Sequence, residues 1–248
     1  MFCKNTFIYV LAIALISITS SAFAQNPPAY ATAAVADSSR PAEQRADDAA
    51  RMPATVIAFA MVKPGSVVAE VRPGRGYYTR IISKAVGANG KLYSIDSAER
   101  VEARPNRMDG IKAIADEAGY SNIEVKTPAF ATLAEVGEPL DVVWTTNGYH
   151  DMINGQTAEE MAAYNKSVFR ALKSGGYYFI LDHAAQVGTG LSATDTIHRI
   201  DPEAVKEQIL AAGFVLDAEG DALERANDDR TTQGKFENSQ FMLRFRKP

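Results

Sequence analysis

The chain has 248 residues, 46% hydrophobic and 23% charged, with a formal net charge of -4. That suits one α/β domain of ordinary size with a full core, preceded by a leader. The charge leaves no basic face for nucleic acid, and neither K/R-rich runs nor RNA-binding aromatic motifs occur, so nucleic acid is excluded as a partner. The single cysteine, Cys3, falls inside the leader, so the mature chain has neither a disulfide nor thiolate chemistry.

Residues 1–24 read as a cleaved export signal. Lys4 supplies the positive start, Phe7 to Ile18 the apolar stretch, and Ala22-Phe23-Ala24 the small residues a signal peptidase reads before Gln25. The apolar run falls short of the ~20 residues that span a bilayer, so no stable membrane anchor is expected after cleavage. Gln25 stands where a lipoprotein would need cysteine. Export to a bacterial periplasm is the simplest account. Residues 25–39, rich in Ala, Pro and Ser, read as a flexible linker, and 40–248 as the folded domain.

Ser39 and Pro41 signal a helix over Arg40 to Arg51, and Pro53 starts a second over Ala54 to Met61. Val67 to Val71 reads as a buried parallel strand. Pro73-Gly74-Arg75-Gly76 follows at once, and a helix then runs to Val86. A strand turning through glycines into a helix start is a nucleotide-type binding corner. Glycine lets the backbone approach a ligand, and the helix start offers unpaired N–H groups. A second strand, Lys91 to Ile95, ends on Asp96, at the distance where an acidic residue holds ribose hydroxyls.

Helical spacing continues over Glu99 to Ala118, interrupted by Pro105. Asn122 to Lys126 and Leu140 to Thr145 read as strands three and four. Ala158 to Leu172 is an amphipathic helix closed by a Lys173-Ser174-Gly175-Gly176 cap. Tyr177 to Leu181 is strand five, ending on Asp182-His183. Val187 to Thr196 is a loop, and Asp201-Pro202 caps a helix running to Ala212. Phe214 to Ala218 and Gln240 to Phe245 are the last strands. The alternation predicts a doubly wound, mostly parallel seven-stranded sheet.

The chain resembles the Rossmann-like, class I methyltransferases that depend on S-adenosylmethionine, over nearly all of Pro64–Phe245. Three landmarks carry this: Lys63-Pro64-Gly65 before Val68-Ala69-Glu70 and the glycine loop, Asp96, and Leu172 to Gly176 before strand five. It looks most like a group of predicted bacterial methyltransferases, often exported. Their features stand here as Pro73 to Thr79, Asn147 to Asp151, Asp182 to Ala185, His198 to Asp201 and Leu243 to Pro248. The resemblance implies strand order 3-2-1-4-5-7-6 with the last strand antiparallel. It implies S-adenosylmethionine as cofactor, with Glu70, Gly74 and Gly76 under its methionine part and Asp96 on its ribose. Tyr78 is expected as an adenine wall. Arg72 departs from the pattern, standing where methyltransferases carry glycine, and Arg75 adds a second cation. These arginines face solvent, pair with Glu70 or Asp96, hold the cofactor's carboxylate, or favour an anionic ligand such as a phosphate.

The three histidines all fall at one edge. If strands four and five are neighbours, His150-Asp151 and Asp182-His183 come side by side, with His198 and Arg199 closing over them. His150 is the candidate base, oriented by Asp151 or Asp182, because imidazole titrates near working pH. Asn147, Tyr149 and Arg199 are the candidate substrate-binding residues for a small-molecule substrate. No HxH or HExxH spacing occurs, so no metal is expected. The expected function is methyl transfer to a small molecule or envelope component. The alternative is the same fold reused as a periplasmic ligand-binding protein or non-methylating enzyme, with His150, His183 and His198 serving another reaction or a metal in a His/Asp site. A nicotinamide dehydrogenase fits less well, because Thr79 stands where its third glycine belongs.

Overall fold

A computed structural model describes residues 26–234 and 236–248. The expected export signal lies outside them. Among the described residues no helix is long and apolar enough to cross a membrane.

Seven strands form one sheet: β1 (Val67–Val71), β2 (Lys91–Ile95), β3 (Ile123–Lys126), β4 (Leu140–Thr146), β5 (Leu172–His183), β6 (Val215–Gly220) and β7 (Gln240–Arg246). Their order is β3-β2-β1-β4-β5-β7-β6. The first five run parallel, and β7 inserts antiparallel between β5 and β6. This is the doubly wound architecture expected. The central strands are apolar on both sides because both faces are covered.

Among the described residues ten α-helices connect or flank them: α1 (Ala29–Val35), α2 (Ala42–Ala46), α3 (Asp48–Arg51), α4 (Pro53–Phe59), α5 (Tyr77–Val86), α6 (Ala98–Ala103), α7 (Asp109–Asp116), α8 (Tyr149–Gly155), α9 (Ala158–Ala171) and α10 (Pro202–Ala211). On one face, α1, α4, α5 and α7 cover Trp144 and Phe179, whose rings lie 4.5 Å apart. On the other, α8, α9 and α10 cover Val143, Tyr178 and Ile180. Burying one large apolar side chain contributes about 1.5–3 kcal/mol, so these two layers carry most of the fold's stability.

Several local expectations change. Residues 29–35 form helix α1 rather than a flexible linker. Ala31 and Ala34, three apart on one face, are buried in the same core layer as α4 and α5. The stretch 40–51 splits into α2 and α3 at Asp47. The glycines at 175 and 176 do not cap α9. That helix ends at Ala171, and the glycines form the start of β5. There the Gly175 N–H donates to Lys247 O and the Lys247 N–H to Gly176 O.

Pro202 opens α10 as expected, with the Asp201 carboxylate accepting from the Glu203 N–H at 2.9 Å. The same carboxylate takes the N–H groups of Gly188 and Gly190, tying the 187–196 loop to the helix start.

Candidate functional site

The carboxyl ends of β1, β2, β4 and β5 form the rim where open α/β sheets take ligands. Three non-glycine residues on this rim have left-handed backbones: Arg72 (φ 59°), Asn147 (φ 48°) and His198 (φ 52°). Each such conformation costs on the order of 1–3 kcal/mol and tends to mark functional positions. Arg72 thus keeps the backbone shape that suits glycine while adding a guanidinium.

A cavity of about 420 Å³ lies against the glycine loop. Its wall includes Arg72, Gly74, Arg75, Asp96, Asn147 and Asp151. Arg100, Arg107, Met108 and Gly148 complete it. Asp96 is the fulcrum. One carboxylate oxygen accepts from the Ser97 N–H at 2.9 Å and Arg100 Nε at 2.8 Å, and the other accepts from Arg107 Nε at 2.7 Å. Burial raises the Asp96 carboxyl above its ordinary range, outweighing Arg107 and Ser97. Arg72 donates to Gly148 O at 2.8 Å and approaches Asp151 at 3.6 Å. Arg75 is exposed, without an ion-pair partner among the described residues.

Three expected cofactor residues sit elsewhere. Glu70 does not line the cavity. It is buried beneath the loop, accepting from Thr79 Oγ1 at 2.6 Å and Ser94 Oγ at 3.2 Å, and burial pushes its carboxyl up to about 7. It joins β1 to β2 and α5. Gly76 touches no open space: a Cβ there would meet Ile114 Cδ1 at 2.3 Å, so the glycine admits α7. Tyr78 is core, its ring 5.0 Å from Trp144, and Tyr77 is tied to Asp48 at 2.6 Å. Neither forms an adenine wall. Gly74 lines the cavity, and a Cβ there would meet nothing within 4 Å.

The histidine edge assembles beside this cavity. β4 and β5 are neighbours, and the turn after β4 swings His150 onto β5. Asp182 is fully buried. One of its oxygens takes the His150 N–H at 3.0 Å, and the other meets His150 Nδ1 at 2.6 Å and the His183 N–H at 2.8 Å. His150 Nε2 lies 3.2 Å from Asp151, and His198 Nδ1 lies 3.5 Å from the same oxygen.

These surroundings reassign the base. Burial opposes charge on His150, but Asp182 and Asp151 outweigh it and push the imidazole up to about 10. It therefore carries its proton at neutral pH and is no proton acceptor. His183 behaves oppositely: burial holds it below the usual histidine range, so it is neutral, and its Nδ1 is enclosed without a hydrogen-bond partner. His150 keeps the neighbouring Asp151 carboxylate below its ordinary range.

Two expected substrate contacts are structural. Arg199 is fully buried, with its guanidinium used by Thr232 O, Ala184 O, both oxygens of Asp228 and Asn238 Oδ1. Tyr149 turns into the opposite core, donating to Gln208 Oε1 and accepting from Asn165. Asn147 does reach open space. Its Oδ1 accepts from Gln240 Nε2 at 2.6 Å, and it walls both the first cavity and a second of about 370 Å³. The second cavity is lined by Arg51, His183, Gln233, Gly234, Phe236 and Gln240 as well. Arg51 stacks 4.5 Å over the Tyr77 ring and 5.5 Å over Phe236. A larger hollow of about 770 Å³ lies at the opposite sheet edge, around Gly87 to Lys91, far from this chemistry.

Comparison with known proteins agrees with this geometry. The sequence profile of protein-L-isoaspartate(D-aspartate) O-methyltransferase matches residues 10–130. A protein-L-isoaspartate O-methyltransferase from Methanococcus maripaludis is 27% identical over 151 residues, 61% of this chain and 60% of the relative. The chain thus aligns with about 60% of the length of the curated relatives it matches. A methyltransferase structure from Aquifex aeolicus superposes with a TM-score of 0.58 at 18% identity, over 84% of this chain and 99% of that one. Aeropyrum pernix fibrillarin with natively bound S-adenosyl-L-methionine gives 0.50 at 15% identity, over 74% and 67% of the two chains.

The chain is similar to the class I S-adenosylmethionine-dependent methyltransferases and shares their fold. Within that class, the relatives that its sequence matches are protein-L-isoaspartate O-methyltransferases.

The residues present suit that family's cofactor. The cavity volume lies in the range of small-molecule sites. Asp96 offers carboxylate oxygens at the end of β2, and open Gly74 lets a ligand approach the backbone. Arg72 and Arg75 suit the cofactor's carboxylate. Asp151 supplies negative charge on the wall shared with the histidine edge.

Proposed function

We propose that this chain transfers a methyl group from S-adenosylmethionine to a carboxylate oxygen of an acceptor held in the second cavity. One observation carries the reading: Asn147 is the wall common to both cavities, so ligands in them would meet across a single side chain. When bound, S-adenosylmethionine supplies an electrophilic methyl on a sulfonium, whose bonding electron pair leaves with the sulfur as the new O–CH₃ bond forms. Asp96, Gly74 and the arginines hold the cofactor. Arg51 offers a cation to the acceptor carboxylate, and Asn147 and Gln240 fix its orientation. Alignment alone contributes about 7–11 kcal/mol in such displacements. An ionised carboxylate has no proton to lose, so this chemistry works without a base. The carboxyl-methylating relatives support that acceptor class.

His183 favours a second reading. A neutral imidazole on the wall of the acceptor cavity is of the kind that takes the proton of a hydroxyl acceptor. The same fold serving as a binding protein without methyl transfer is a third reading, supported only by the arginine-rich cavity. The export-signal pattern of residues 1–24 supports a periplasmic location, to be checked by sequencing the mature N-terminus after cell fractionation.

The deciding experiment incubates the chain with methyl-tritiated S-adenosylmethionine and an isoaspartyl peptide or a small dicarboxylate. Base-labile, volatile label identifies a methyl ester. Base-stable label on a hydroxyl compound supports the His183 reading instead. No cofactor binding by calorimetry at millimolar ligand would overturn both.

A further inference from the structure

We propose that His150, Asp151 and His198 form a site for one first-row divalent cation. His150 Nε2, an Asp151 carboxylate oxygen and His198 Nδ1 all lie within 4.8 Å of one another. Two of the three separations are 3.2 and 3.5 Å. Donors bound at about 2.0–2.2 Å to one ion stand roughly 3–3.5 Å apart, so small side-chain shifts complete the set. Two imidazole nitrogens and one carboxylate suit zinc, cobalt, manganese or ferrous iron, and suit calcium or magnesium poorly.

Two features outside the triad point the same way. The first is Asp182, which meets His150 Nδ1 at 2.6 Å while its other oxygen fixes the His150 N–H. A carboxylate behind a ligating imidazole holds the Nδ1 proton and raises the ring's basicity, so an ion at Nε2 takes the place of the proton that His150 otherwise carries there. The second is the anchoring of His198. Arg199 is locked by Asp228, Asn238 and two carbonyls, and Ile200 bridges to Ala184. Between these fixed points His198 is held in its left-handed conformation, its ring 5.6 Å from that of His150. Its exposed ring is presented to Asp151 by a rigid support. Asp151 is also on the wall of the first cavity, so an ion here would face the space between cofactor and acceptor.

The site does not depend on methyl transfer. The test uses the full chain without a polyhistidine tag, stripped with a chelator and dialysed, then titrated with Co²⁺ and with Zn²⁺. The expected result is one equivalent per chain, with micromolar or tighter affinity and visible cobalt d–d bands that appear as Co²⁺ is bound. His198→Ala and Asp151→Asn should each weaken uptake about tenfold or more, by analogy with the 10–100-fold losses seen at metal sites. His183→Ala should leave it unchanged. Because His198 is exposed, its variant folds even if His150→Ala does not. No uptake at about 100 µM cation, or uptake indifferent to His198→Ala and Asp151→Asn, overturns the proposal.

Discussion

At the glycine-loop corner, the wall residues from Arg72 to Met108 come from two consecutive βα units, joined by Asn147, Gly148 and Asp151 from after β4. At the histidine edge beside it, the residues come from positions 51, 147–151, 182–183, 198 and 240, brought together by the β4–β5 pairing and the antiparallel β7. The first region is held by two partly exposed arginines on one aspartate. The second rests on a fully buried aspartate that serves two backbone N–H groups and one imidazole. The corner can therefore rearrange for a ligand, while the edge is set when the chain folds.

The strongest test of that contrast removes Asp182. Asp182→Ala strips a buried charge from His150 and leaves two N–H groups unpaired, so a loss of about 3–5 kcal/mol is expected by chemical denaturation. With Asp182 gone, the His150 titration followed by NMR should move down from about 10 toward the ordinary histidine value. A variant of unchanged stability would show that the edge is no more rigid than the corner.

Glu70 gives the next largest effect. Its folded carboxyl titrates near 7 against 4.5 for an ordinary glutamate, so the folded state keeps a proton that the unfolded chain has lost. Stability from this group is full below about pH 4.5 and falls as pH rises through 7, by roughly 3 kcal/mol at most. Glu70→Gln should flatten the melting temperature across that window. An unchanged slope would mean that Glu70 is ionised and faces a cation.

The smallest effect lies at the corner. Arg100 and Arg107 are partly exposed, so their pairs with Asp96 are weak. Arg100→Ala should tighten S-adenosylhomocysteine binding a few-fold by calorimetry, while Asp96→Ala weakens it. Weaker binding in Arg100→Ala would make that arginine a ligand contact.

Sequence alone reveals these regions unequally, for physical reasons. Strand, glycine turn and acidic strand end are contiguous signals, and Asp96 is where they place it. Arg100 is also findable. It stands four residues after Asp96 on a helix capped by Ser97, a spacing that brings side chains together. The meeting of His150, Asp182 and His198 follows from strand neighbours. What titrates there does not, because the preference of His150 for its proton comes from enclosure by two carboxylates. Tyr149 and His150 are adjacent in sequence yet point to opposite sides, as neighbours on a helix do. Arg199 looks like a substrate ligand until Asp228 and Asn238, 29 and 39 residues downstream, are seen to consume it. The absence of a close histidine repeat likewise hides a triad that His198 completes from a distant loop.

Asp96 is paired with the chain's own guanidinium groups at the place where a ribose would sit. An incoming nucleoside must evict them, so its apparent affinity carries the cost of breaking contacts that salt weakens. Binding should thus tighten as ionic strength rises, the reverse of what a charged pocket ordinarily does, which would make salt itself an activator.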